Sequence, residues 1–88
     1  MPYEVRFTPE AQRHLSKLPE RVRTAILEFV AGSLATDPLR VGKPLRGELQ
    51  GLHSARRGDF RVIYEVDEQA HLVIVHRAQH RSDVYRPR

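Results

Sequence analysis

The sequence predicts an α+β domain: an N-terminal strand, a helical hairpin, then a three-stranded antiparallel meander. The four strands would form one twisted sheet with the helices on one face. Three patterns predict it. Tyr3, Val5 and Phe7 alternate with Glu4 and Arg6, as a half-buried strand does. Apolar side chains recur at helical spacing from Ala11 to Leu34 on both sides of a proline corner. After residue 51 the chain turns to strand composition and stays there.

Thr8-Pro9-Glu10 reads as N-cap, first helical residue and early acid, so a helix starts there. Ala11, Leu15 and Leu18 give its buried stripe, and Pro19 ends it while opening the next helix. The second helix buries Val22, Ala25, Ile26, Phe29, Val30 and Leu34, and stops near Asp37-Pro38. Residues 39–51, punctuated by Gly and Pro, read as a basic loop with few core side chains. Three strands are expected at residues 52–57, 60–67 and 70–77. The run Leu72-Val73-Ile74-Val75 is apolar at both parities, which places the last strand centrally. No repeat or linker interrupts residues 1–88, so a single domain is expected.

A domain this small buries only about 60–65% of its unfolded surface, and a bound partner would add stability. With no cysteine, disulfides and thiolate metal sites are excluded. His14, His53, His71, His76 and His80 lack ligand spacing, so neither metal nor cofactor is expected. The N-terminus has no signal-peptide pattern and no apolar run is long enough to span a bilayer, so a cytoplasmic protein without membrane attachment is expected.

The net charge of +4 comes from 15 basic and 11 acidic residues, the basic ones being 13 Arg and 2 Lys. Arg presents a planar fork of donors that suits phosphate. Residues 40–61 carry net +4 and residues 76–88 net +3, while the remainder carries −3. Positive charge is therefore gathered in the C-terminal half, the footprint of a polyanion-binding face.

The stretch SARRGDFRVIYEV focuses that charge. Gly58-Asp59 fits a two-residue type II′ turn with Gly at the first central position. The turn sets the register: Arg57 opposes Phe60, Arg56 opposes Arg61, Ala55 opposes Val62 and Ser54 opposes Ile63. Phe60, Val62, Tyr64 and Val66 then face the helices, with Tyr64 in the core, and Arg56 and Arg61 meet on the other face. Like charges so placed cost about 0.2–1 kcal/mol. An anion absent from the free protein would offset that cost, unless Glu65, further along the same face, quenches Arg61. The chain end is expected to return His80, Arg81 and Tyr85 to this pair. Such a patch suits phosphodiester transesterification, in which guanidinium groups stabilise charge on phosphorus and other side chains move the protons.

The opening YEVRFTPEAQRHLSKLP, the segment GKPLRGELQGLHSARRGDFRVIYEV and the ending VIVHRAQHRSDVYR together resemble the RelE/ParE superfamily of bacterial toxins, and within it the RelE toxins. The likeness runs over nearly the whole chain. It implies a compact α+β toxin that enters the ribosomal A site and cuts mRNA without a metal. It also implies a RelB-like antitoxin that wraps the toxin, the pair repressing its own operon, so that operator DNA is met only through the complex. Residue by residue, Arg61 falls on the arginine that contacts the scissile phosphate and Tyr85 on the C-terminal tyrosine. Arg56 takes a Lys/Arg position on the preceding strand, and Arg81 or His80 would supply the last basic or proton-shuttling group. Arg57, Lys43, Arg46 and Arg40 are expected to hold substrate or rRNA phosphates. One departure stands out: Ser54 occupies a position where the family often has lysine, leaving Tyr85 and His80 as proton carriers. Two other readings remain: a ParE-like toxin that poisons DNA gyrase by binding alone, and a non-toxic nucleic-acid-binding module.

Overall fold

The computed structural model describes residues 1–85. Strand β1 (Glu4–Phe7) leads to α1 (Pro9–Ser16) and α2 (Glu20–Phe29), which runs on through a π-helical turn, Val30–Leu34. A short α3 (Pro38–Val41) then enters β2 (Gly42–Pro44), followed by a 3₁₀ turn, Gly47–Leu49. The strands β3 (His53–Arg57), β4 (Phe60–Asp67) and β5 (Leu72–His80) complete the fold.

The expected mixed architecture is present, with one correction: the sheet has five strands, in the order β1-β5-β4-β3-β2. The additional strand, β2, lies in the segment expected to be a loop, and it pairs antiparallel with β3 through Gly42–Ala55, Lys43–Ser54 and Pro44–His53. β5 is central as expected, parallel to β1 and antiparallel to β4.

Local chemistry explains the helix boundaries. Thr8 is extended at the N-cap, its Oγ1 accepts from the Ala11 N–H at 3.1 Å, and Pro9 opens the first turn. A cap of this kind contributes about 1 kcal/mol. Ala11, Leu15, Ile26, Val30 and Leu34 from the helical layer pack with Ala55, Val62, Tyr64, Val73, Val75 and Ala78 from the sheet. This is the one-sided layering predicted from the sequence, and each fully buried Val, Leu or Ile side chain contributes about 1.5–3 kcal/mol.

Two backbone features position the site. Gly58 has φ 60° and Asp59 does not enter positive φ, as a type II′ turn requires. The β4–β5 ladder steps from Ile63–Arg77 to Tyr64–Val75, leaving His76 as an extra residue in β5. A β-bulge of this kind reverses the facing of every later side chain on its strand.

Candidate functional site

The type II′ hairpin sets Arg56 directly opposite Arg61, with Ser54 opposite Ile63 in the neighbouring row. Both arginines line one open pocket of about 500 Å³ with Val41, Lys43, Pro44, Leu45, Ser54 and Tyr85. Arg61 Nη1 donates to the Phe60 carbonyl at 3.3 Å and, more weakly, to the Gly58 carbonyl at 3.5 Å. Among the described residues neither arginine has a carboxylate partner. Glu65, the candidate quencher, instead meets His76 Nε2 at 3.1 Å. The repulsive pair therefore stands uncompensated within the described part of the protein.

Across four of the five strands, Lys43, Ser54, Ile63 and Arg77 form a single cross-strand row. The chain end is tied along this row at two points. Arg77 Nη1 donates to the Val84 carbonyl at 2.6 Å, and the Tyr85 hydroxyl donates to Ser54 Oγ at 3.1 Å. Val84 is fully buried while Tyr85 remains half exposed, so its ring is anchored yet accessible at the pocket.

The other expected site residues are distributed differently. His80 is a correction: it pairs with Phe60, their rings meet edge to face at 5.5 Å, and it lines the α1-side cleft with Glu10, Arg13 and His14. The His76 bulge causes this, because it turns His80 toward the helices and Arg77 toward the arginine pair. Arg81 is held at the hairpin, its N–H on the Asp59 carbonyl at 2.8 Å, outside the residues that line the arginine pocket. Arg57 lies on the helix-facing side, where it lines a cleft with Arg21, Val22, Ala25 and Ile26. Arg40 approaches Asp37 at 3.9 Å on α3, and Arg46 is exposed before the 3₁₀ turn. Lys43 alone of the four substrate- or rRNA-binding candidates joins the pocket.

Arg77 was not singled out by the sequence. Its role depends on the bulge, and no Gly or Pro marks that position. Tyr64, read as core, is fully buried, and burial pushes its phenol up to about 12. His53 also lies on the core side, its ring 5.6 Å from that of Tyr64 and its Nδ1 buried without a partner among the described residues.

Known proteins are similar to this chain in both sequence and fold. Residues 5–85 match the family model described as ParE toxin of type II toxin-antitoxin system, parDE. Toxin RelG of Mycobacterium tuberculosis is 54% identical over 86 residues, covering 98% of this chain and 99% of that protein. Toxin RelE of the same organism is 51% identical over 85 residues, covering 97% and 88%. The crystal structure of the M. tuberculosis toxin–antitoxin complex RelBE2 superposes with a TM-score of 0.89 at 52% identity, covering 94% of this chain and 95% of that one. The archaeal RelE–RelB complex of Pyrococcus horikoshii matches with a TM-score of 0.72 at 27% identity, covering 96% and 100%. The chain belongs to the RelE/ParE superfamily and is a toxin of a type II toxin–antitoxin system.

Proposed function

We propose that this toxin is a ribosome-dependent mRNA endonuclease that cuts at the A site by metal-independent attack of a ribose 2′-OH on the adjacent phosphorus. The observation that supports it is the Arg56–Arg61 pair, opposed on one face and without a carboxylate among the described residues. Two guanidinium groups so placed suit a phosphate whose charge grows in the transition state. Tyr85, tethered to Ser54, stands beside them to stack on the nucleotide and, as phenolate, to receive the 2′-OH proton. With His80 on the opposite face, the phenol is the proton carrier the pocket retains from the expected set. So few groups on an open surface need the ribosome to hold the mRNA in line, and such positioning supplies several kcal/mol of the barrier.

A RelB-like antitoxin is the partner this reading carries, by analogy with the toxin–antitoxin complexes that share the fold. Site of action would be the cytoplasm, where ribosomes are. Purified toxin added to programmed ribosomes should cut mRNA within the A-site codon, leaving a 2′,3′-cyclic phosphate, and should leave the same mRNA whole without ribosomes. Intact mRNA on toxin-treated ribosomes would sink this reading, and gyrase-dependent DNA breakage in its place would favour the binding-only alternative.

A further inference from the structure

Transesterification needs a second proton transfer, because the departing 5′-oxygen leaves as an alkoxide unless something protonates it. Arg56 and Arg61 cannot do so: a guanidinium keeps its protons in proteins. Among the residues lining the pocket, Lys43 and Tyr85 are the side chains with an acid–base function to spare. Tyr85 is already assigned to the 2′-OH, with its hydroxyl on Ser54 Oγ. Lys43 remains.

Its placement suits the task. Lys43 is the direct cross-strand neighbour of Ser54, so it shares the face of Arg56, two residues further along β3. That offset is about 7 Å of strand, within reach of a lysine side chain. Lys43 forms no ion pair among the described residues, and its side chain is exposed. Gly42 fixes the strand that carries it, because its Cα packs against the Tyr64 hydroxyl and the Ser54 carbonyl with no room for a side chain.

We propose that Lys43 is the general acid of the cleavage, a role that rests on the RNA-cleaving reading above. As the 2′-oxygen bonds to phosphorus, its proton passes to the Tyr85 phenolate. As the P–O5′ bond breaks, the Lys43 ammonium gives its proton to the 5′-oxygen. The products are a 2′,3′-cyclic phosphate, a 5′-hydroxyl, a neutral phenol and a neutral amine. Exchange with water resets both side chains, so no co-reactant is consumed. Ser54 provides a rotatable hydroxyl that can donate to the phenolate once the phenol proton has gone.

The test compares two mRNAs on programmed ribosomes, one all-oxygen and one with sulfur replacing the bridging 5′-oxygen at the A-site bond. A thiolate leaves without protonation. Lys43→Ala and Lys43→Arg should each cut the all-oxygen mRNA at least 100-fold more slowly than wild type, and the sulfur mRNA within about fivefold of it. Both variants should melt with the wild type. Equal losses on the two substrates, or recovery in Lys43→Arg, would reduce Lys43 to a phosphate-holding cation and overturn the proposal. Wild-type toxin that cuts neither mRNA would bring down the nuclease reading itself, a different failure from an active wild type with an active Lys43→Ala.

Discussion

The Tyr64 hydroxyl, fully buried in the middle of the sheet, donates to the Pro38 carbonyl at 2.6 Å. This one hydrogen bond ties α3 to β4 and so sets where β2 can lie. Gly42 completes the joint: a Cβ there would collide with the Tyr64 hydroxyl and lie 2.9 Å from the Ser54 carbonyl oxygen. Gly42→Ala is therefore expected to cost about 1–3 kcal/mol, as overpacking of a filled site does. Ribosome-dependent cleavage should fall as β2 shifts, and urea unfolding beside an activity assay would show both effects. Unchanged stability would mean that the joint has slack.

Tyr64→Phe removes the same bond without adding bulk. It leaves the Pro38 carbonyl buried and unpaired, at a cost of about 1–3 kcal/mol near neutral pH. Alkali provides a second signature. The unfolded chain's tyrosine ionises at its ordinary 10.0, whereas burial raises the folded group to about 12. Above pH 10 the unfolded state has lost a proton that the folded state keeps, so stability should decline with pH up to about 12. A wild-type stability profile no steeper than that of Tyr64→Phe in this range would contradict the assignment.

Arg61→Ala and Arg56→Ala should separate activity from stability. Each removes one member of a like-charged pair, so the melting temperature should stay level or rise slightly. Cleavage on the ribosome should drop by about 100-fold or more, the usual scale for losing one transition-state charge stabiliser. Growth arrest on expression would vanish with it, while antitoxin binding persists. Full toxicity of Arg61→Ala would remove the pair from the mechanism.

Arg77→Ala tests position rather than chemistry. Its guanidinium holds the Val84 carbonyl, one residue before Tyr85. Freed of that tie, the ring should sample other placements and cleavage should fall about tenfold or more. Tyr85→Phe keeps the ring and loses the phenol. If Tyr85 carries the proton, Tyr85→Phe should lose about 100-fold or more, and Arg77→Ala should add little to it in the double variant. A Tyr85→Phe toxin at full rate would confine the ring to stacking.

Acid should weaken the fold through His14. Burial, then Arg77, Lys17 and Arg13, hold its pKa below 6.5 despite Glu10 at 3.7 Å. Its Nδ1 also accepts the Ala78 N–H at 3.3 Å, which a protonated ring cannot do. Below pH 6.5 the unfolded chain takes up a proton that the folded one resists, so stability falls as pH drops and levels once folded His14 is protonated. Denaturant melts at about pH 7.5 and about pH 5.5 should show a larger loss for wild type than for His14→Asn.

The hairpin register was legible from Gly58-Asp59 because a two-residue turn admits one pairing, and the helical stripes were legible because Thr8, Pro9 and Pro19 punctuate them. β2 was not. Gly42-Lys43-Pro44 has no apolar alternation, and its pairing depends on the open edge of β3, which is a tertiary fact. The placement of His80 failed for a related reason. An unbroken alternation along β5 would put His80 on the face of Arg61, and the unmarked extra residue at His76 inverts it. Lys43 was visible as a basic residue, but its position beside Ser54 followed only from β2.

Strand order also bears on when this protein can exist as a folded object. β5 is the last strand in the chain and the one that β1, β4 and α1 all pack against. A nascent chain that ends before Leu72 has its helices and a hairpin but lacks Val73, Val75 and Ala78 of the core, and the ring that closes the pocket emerges later still. The pocket is therefore late to form: its hairpin is made early, but the sheet that holds it is complete only once β5 has paired with β1 and β4.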